Sequence, residues 1–231
     1  LEWSAFSLVF ALGMALCGMS YSILGFQILK QGGMALYSTF LMSGGMLLPY
    51  AYGVVFLDEK LTPLRLLGVA VILAAVILSN FSRQKNSCKQ LLLCGAVFVL
   101  NGIVSILSKC HQICEDYATI SSSGFVIYSG IGKCVFSTVA LMVHNQRHSV
   151  LTVKNKLSFS VVAGASAVGA ASYLLQLIGA KELPASVLYP IITGGSIVFS
   201  AITDRLFFKE RISRRQLFCV SLCVIFTLLL F

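Results

Sequence analysis

Charge is scarce in this sequence. Only 11% of its 231 residues are Asp, Glu, Lys or Arg, whereas a soluble domain carries about 25%. There are 8 acidic residues, 3 histidines, 4 prolines and 1 tryptophan. So few charges cannot cover a water-soluble fold when 58% of the chain is hydrophobic. The sequence offers no nucleophile–base pair, no Gly-rich phosphate loop and no His or carboxylate cluster inside an apolar run. This speaks against an enzyme, and no cofactor is expected. The apolar–polar alternation of a membrane β-barrel, in segments of about ten residues, is also missing.

What is present is long apolar runs. The remaining charges fall in short clusters roughly 20–25 residues apart, the length at which a helix crosses a bilayer. Eight spans result: A to H, at 3–28, 34–57, 63–81, 90–109, 119–143, 157–180, 185–207 and 213–231. They predict an all-α polytopic membrane protein with the lipid bilayer as its surroundings. Span A is too long for a signal peptide, lacks a basic start and ends in LKQGG. The net charge of +9 would suggest nucleic acid in a soluble protein. Here no basic stripe interleaves with aromatics, so no nucleic acid is expected, and the charge serves orientation in the membrane. Eight cysteines occur, most of them within spans, where Cys acts as a small hydrophobe. Cys110, His111 and Cys114 cluster, but a zinc site needs four ligands, and no metal is expected.

The segment FLDEKLTPLRLLG at 56–68 returns as FFKERISRRQLFC at 207–219. In register, Gly44 falls on Gly195, Glu59 on Glu210, Lys60 on Arg211, Thr62 on Ser213 and Leu66 on Leu217. With a one-residue gap, Ser20-Tyr21 falls on Ser172-Tyr173 and Leu36-Tyr37 on Leu188-Tyr189. Together these matches argue for an internal duplication. Thr62 suits an N-cap and Pro63 the first helical position; Ser213 with Gln216 reads as a capping box. Glu59 and Glu210 read as solvated or salt-bridged turn residues. Spans A, B and C match F, G and H, a shift of five spans. An odd shift inverts the second copy in the membrane, as in secondary transporters. Spans D and E then call for counterparts before residue 1, so a ten-helix plan without its first two helices, or a natural eight-helix variant, is expected. The non-Met start, Leu1, agrees with truncation.

The run YSTFLMSGGMLLPYAYGVVFLDEKLTPLRLLGVAVILAAVIL, and the second-copy run that opens with LIGAKELPASVLYP at 177–190, carry Pro184-Ala185-Ser186, Glu59-Lys60, Glu210-Arg211 and Gly68. In these the chain resembles the EamA-type transporters of the drug/metabolite transporter superfamily. It departs from the pattern at Cys219, where a second Gly would stand. The resemblance implies residues 1–84 as an incomplete first repeat of three helices and 85–231 as a second repeat of five. It also implies secondary transport of small organic metabolites, as an exporter in the cell (inner) membrane; a homodimer is a further expectation. The alternative is a non-transporting membrane subunit or partner of a lipid-modifying membrane complex.

Ionisable residues within spans usually face a bundle interior or cavity. Lys133 is the one charge well inside a span, and an ammonium buried without a partner is costly. It reads either as an interfacial anchor or as a contact for a carboxylate or phosphate on a small-molecule substrate. Asn101 and Ser105, one turn apart in span D, read as interhelical hydrogen-bonding residues or substrate contacts. Tyr173 with Gln176 in span F, and Tyr21 in span A, complete the candidate substrate-binding set. A central cavity lined by D, E, F and A is expected, with B–C and G–H as scaffold. Span F, rich in small residues, is expected to pack tightly. His144 and His148 read as interfacial, and Glu115-Asp116 beside His111 is the one thin acidic cluster.

Of the 17 Lys and Arg, twelve follow spans A, C, E and G, and four follow B, D and F. The positive-inside rule places the twelve in the cytoplasm. Single cysteines at 82–89, 145–156 and 208–213, in a cysteine-free background, are therefore expected to escape an impermeant maleimide added outside intact cells. Strong labelling there would invert the topology.

Overall fold

Thr62 and Pro63 start a helix as their chemistry predicts: the Arg65 amide donates to Thr62 Oγ1 at 3.3 Å, and Pro63 is the first helical residue. The computed structural model describes residues 3–31, 33–79, 87–143, 156–206 and 214–229. Every regular element among them is an α-helix. In chain order these are α1 (Ala5–Lys30), α2 (Met34–Phe56), α3 (Pro63–Ser79), α4 (Cys88–Ile113), α5 (Ser122–Val143), α6 (Lys156–Glu182), α7 (Ala185–Leu206) and α8 (Arg214–Leu229).

Six of these helices, all but α3 and α8, are long and apolar enough to cross a bilayer. Large apolar side chains such as Phe26, Leu92, Val168 and Phe199 stand exposed along them, far beyond what water tolerates. The chain is an integral membrane protein. The expectation of eight full spans is thereby reduced. Helices α3 and α8 have 17 and 16 residues, about 25 Å at 1.5 Å per residue against a hydrocarbon core of about 30 Å. Residues 80, 81, 213, 230 and 231, with which spans C and H were completed, lie outside the described residues.

The chain forms two compact units. Unit 1 comprises residues 1–19 and 107–182; unit 2 comprises 20–106 and 183–231. In unit 2, α2 packs on α7, α3 on α8, α7 on α8 and α2 on α3. Met46, Tyr50, Val69, Ile72 and Val187 form one apolar cluster, and Ala75, Val76, Ile197, Cys219 and Cys223 a second. A third joins Ile28 with Cys94 and Val97, and Tyr21 packs against it. Without a hydrophobic drive between helices in lipid, close packing and interhelical hydrogen bonds hold such a unit. Gly44 shows how close the packing is. A Cβ there would lie 2.2 Å from the Phe98 carbonyl oxygen on α4.

The turn between α2 and α3 is not simply solvated. Leu57 and Glu59 both donate their amides to the Gly53 carbonyl, and Asp58 between them adopts a left-handed φ of 50°, a conformation Asp accepts better than most residues. This aims Glu59 at the start of α7. Its Oε1 accepts the Ala185 amide at 2.6 Å and its Oε2 the Ser186 amide at 2.8 Å. These are amides with no acceptor inside their own helix, at its positive end. Arg65 Nη1 also donates to Ser186 Oγ at 3.4 Å. Gly53 leaves the room: a Cβ there would lie 2.9 Å from Glu59 Cδ and 3.0 Å from Ala185 Cβ. The turn after α2 thus caps the start of α7, which corrects the reading of Glu59 as a solvated or salt-bridged turn residue. Its counterpart Glu210, and the Ser213 cap, lie outside the described residues.

Unit 1 holds the start of α1, the end of α4, and α5 packed on α6. Here the expectation of a tightly packed span F fails. Residues 159–172 of α6 are exposed, and nothing lies within 4 Å of a Cβ built on Gly164 or Gly169. Small residues permit close approach, but no helix among the described residues makes it.

Removing the Glu59 carboxylate leaves two helix-start amides without a partner. Glu59→Ala is expected to lower the stability of the detergent-solubilised protein by about 2 kcal/mol, and Glu59→Gln by about half that. Denaturant unfolding followed by circular dichroism measures it, and no loss in Glu59→Ala would make the clasp incidental.

Candidate functional site

Helix α4 carries a polar stripe, Asn101, Ser105, Ser108 and Gln112, at spacings of three and four that share one face. Its first two members belong to unit 2. Asn101 Nδ2 donates to the Leu41 carbonyl of α2 at 2.8 Å, and Ser105 Oγ donates to the Asn101 carbonyl at 3.2 Å. The Ser105 carbonyl in turn accepts the Tyr189 hydroxyl at 2.6 Å. Asn101 therefore acts as interhelical glue, and its amide donor is engaged on backbone. Tyr21 is half-buried in the Ile28–Cys94–Val97 cluster.

In unit 1 the polar groups converge. The Lys133 ammonium of α5 lies 5.7 Å from the centroid of the Tyr173 ring of α6, within cation–π range. The Tyr173 hydroxyl meets Ser108 Oγ at 2.8 Å and Met14 Sδ of α1 at 2.7 Å. Ser108 Oγ also lies 3.3 Å from that sulfur. Close packing of α1 on α5 is set by Gly132, where a Cβ would stand 3.0 Å from Ala15 Cβ. The structure thus brings Lys133 and Tyr173 together. Gln176, one turn on from Tyr173, is half-buried. The structure places Lys133–Tyr173 in unit 1 and Asn101–Ser105 in unit 2.

Deeper in unit 1 lies a network that no sequence motif marks. Ser122 Oγ donates to Gln112 Oε1 at 2.8 Å. This turns the Gln112 amide nitrogen toward His111 Nδ1, 3.0 Å away. Nδ1 must then accept, so Nε2 carries the hydrogen and donates to Ser7 Oγ at 2.8 Å. Ser7 Oγ also accepts the Ile120 amide at 3.1 Å. One turn earlier, Ser4 caps α1 by accepting the Ser7 amide at 3.3 Å, and its hydroxyl donates to the Ala118 carbonyl. The two serines fasten the segment between α4 and α5 to the start of α1. The His111 ring is sandwiched, with centroids 3.9 Å from Phe125 and 6.2 Å from Phe6. Since His111 presents N–H rather than a lone pair to a fully buried Ser7, the pair is not arranged as base and nucleophile.

Lys109, one of the four basic residues assigned to the loops after spans B, D and F, is instead buried in the last turns of α4. Its Nζ donates to the Ala180 carbonyl at 2.7 Å. That oxygen lies in the last turn of α6, where carbonyls lack an intrahelical donor and a cation is favourable. Among the described residues no group of three His, Cys, Asp or Glu could hold a metal ion, and His144 and His148 lie outside them.

No protein-family model matches the chain, and no curated protein sequence matches it significantly.

The network makes a local prediction. Ser7→Ala should speed hydrogen exchange of the Ile120 amide at least about fivefold, the equivalent of about 1 kcal/mol for one hydrogen bond. His111→Phe keeps the ring stack and loses the hydrogen bonds, so it should destabilise the protein by about 1–3 kcal/mol. Unchanged exchange at Ile120 in Ser7→Ala would dissolve the fastening role.

Proposed function

We propose that the chain belongs to a secondary active transporter of small organic metabolites, of the EamA type, working by alternating access between two inverted repeats. The observation that carries this reading is the pairing in unit 2. Helix α2 packs on α7 and α3 on α8, and these are the counterparts that the sequence repeat matches. Contacts between equivalent elements are what a two-fold relation between copies produces. The odd five-span shift sets that axis in the membrane plane, the arrangement that alternating access uses. The same arithmetic leaves α4 and α5 without counterparts, and a ten-helix plan supplies them. The reading carries with it an exporter in the cell (inner) membrane, with the basic loops in the cytoplasm.

Lys133 is the proposed substrate contact. Its described neighbour is an aromatic face rather than a carboxylate, so a fixed positive charge is presented on a membrane-length helix. This suits a substrate carrying a carboxylate or phosphate. Tyr173 and Gln176 supply hydrogen-bonding groups on the neighbouring helix. Asn101, Ser105 and Tyr21 are secondary candidates, because the first two already bond to backbone and Tyr21 packs among apolar side chains.

The test is transport in proteoliposomes with Lys133→Met and Lys133→Arg. Lys133→Met is expected to lower transport at least tenfold, and Lys133→Arg to retain a substantial part of it. Full activity in Lys133→Met would reduce Lys133 to an interfacial anchor and remove the site assignment.

A further inference from the structure

Three helix ends meet at one groove in unit 1: the C-terminus of α4, the N-terminus of α5 and the C-terminus of α6. The groove measures ≈ 400 Å³, and its walls include Gln112, Glu115, Thr119, Ser121, Ser122 and Lys181. That volume is in the range of small-molecule sites. The helix ends give the groove a polarity. Backbone carbonyls at the end of α4 make one side negative, and the first amides of α5 make another side positive. Ser121 caps two of those α5 amides, accepting Gly124 N–H on its hydroxyl at 3.4 Å and Phe125 N–H on its carbonyl at 2.9 Å. The amides of Ser122 and Ser123 ahead of them have no acceptor within their own helix.

Two charged side chains add to this polarity and are unpaired among the described residues. Glu115 lies two residues beyond α4, where a helix end favours a cation and disfavours a carboxylate. Lys181 stands in the last turn of α6. Neither has a hydrogen-bond or ion-pair partner among the described residues, although both line the same groove. Both side chains are exposed, and among the described residues neither charge is taken up by a partner, so a ligand in the groove can reach both. Gln112 joins the groove to the interior. Its Oε1 holds the Ser122 hydroxyl and its nitrogen holds His111, so the wall is fixed by the buried network behind it.

We propose that this groove binds a small zwitterion that carries a primary ammonium and an oxyanion. Glu115 and the carbonyl end of α4 receive the ammonium, and Lys181 with the α5 amides receives the oxyanion. A primary ammonium fits better than a quaternary one. The walls offer hydrogen-bond acceptors and, among the described residues, no aromatic side chain, whereas quaternary ammonium groups are held by aromatic cages. The groove lies at the ends of three membrane-length helices, the level of lipid headgroups. The same chemistry therefore comes from two sources, an ethanolamine-phosphate headgroup or a dissolved zwitterion. The inference does not depend on the transport reading.

The experiment is calorimetry on the full chain in detergent with O-phosphoethanolamine and glycine, against ethylamine, methyl phosphate and phosphocholine. At least one zwitterion is expected to bind tenfold or more tightly than either single-charge probe, and phosphoethanolamine more tightly than phosphocholine. Glu115→Gln and Lys181→Met, both at exposed positions, should each weaken that binding at least tenfold with an unchanged unfolding midpoint. Equal affinity for zwitterions and single-charge probes overturns the proposal, as does binding indifferent to both substitutions. Repeating the titration in phosphatidylethanolamine and phosphatidylcholine nanodiscs separates the sources. Loss of binding in the ethanolamine discs alone assigns the groove to the headgroup, and retention in both assigns it to a dissolved solute. Proteoliposome transport is read separately. Zwitterion binding without solute movement keeps the groove and removes the transport reading. Solute movement without zwitterion binding removes only the groove.

Discussion

Hydrocarbon offers no hydrogen bonds, so backbone polar groups within the membrane must be met inside the protein, and a buried polar side chain is costly until it finds a partner. The side chains inside the bundle answer that demand largely with backbone. Asn101 donates to the Leu41 carbonyl, Tyr189 to the Ser105 carbonyl and Lys109 to the Ala180 carbonyl. Glu59 reverses the direction, accepting amides at the start of α7. Each bond needs the helices close together. Gly44 lets α2 approach the Phe98 carbonyl, and Gly53 opens the space that the Glu59 carboxylate fills. Polar satisfaction and small-residue packing are thus one device: the glycine brings the backbones into reach, and the polar side chain then ties them.

The two units apply this device differently. In unit 2, α2 packs on α7 and α3 on α8 through apolar clusters, with a carboxylate clasp at the turn after α2. In unit 1 the interior is a series of hydroxyls, an imidazole, an amide and one lysine, Lys109, with the exposed Lys133 set over the Tyr173 ring. Tyr21 and Tyr173 show the divergence most plainly, because the repeat aligns them. Tyr21 packs against an apolar cluster. Tyr173 lies beneath an ammonium and joins Ser108 and Met14. The two matching sequence segments thus have different surroundings, and the polar chemistry gathers around Tyr173. That asymmetry is expected where one part of a protein is scaffold and another meets a ligand.

The local features were legible in sequence because they depend on neighbours in the chain. Apolar runs of membrane length marked the helices, and Thr62-Pro63 marked the start of α3. A mid-span Asn101 announced an interhelical bond without naming its acceptor. The rest depends on residues far apart. Glu59 meets Ala185 across 126 positions and His111 meets Ser7 across 104, so no motif could reveal either. Serines in a membrane span are weak signals individually. The stripe of Asn101, Ser105, Ser108 and Gln112 along α4 was the available clue, and it needed helical geometry rather than composition to be seen. The small residues of α6 misled for the complementary reason: they state what a helix permits, and contact also needs a facing helix.

Lys109 and Lys133 separate structural charge from charge with further capacity. Lys109 is buried, but it holds a carbonyl at the negative end of α6, so its location is self-consistent. Lys133 has an aromatic face at 5.7 Å. A desolvated cation–π contact contributes about 2 kcal/mol, whereas the effective penalty for taking an ion out of water is several kcal/mol. The ring therefore orients the ammonium without replacing its hydration. The remaining deficit can be met by water in a cavity, by lipid phosphate at an interface, or by an anion arriving as a ligand. Among the described residues Lys133 has no hydrogen-bond acceptor, whereas Lys109 has the Ala180 carbonyl. Under the proposed transport reading, an exposed ammonium held over an aromatic face suits a transient anion, because release restores a state the protein already tolerates. A carboxylate built opposite Lys133 would have given a more stable helix pair and removed that capacity.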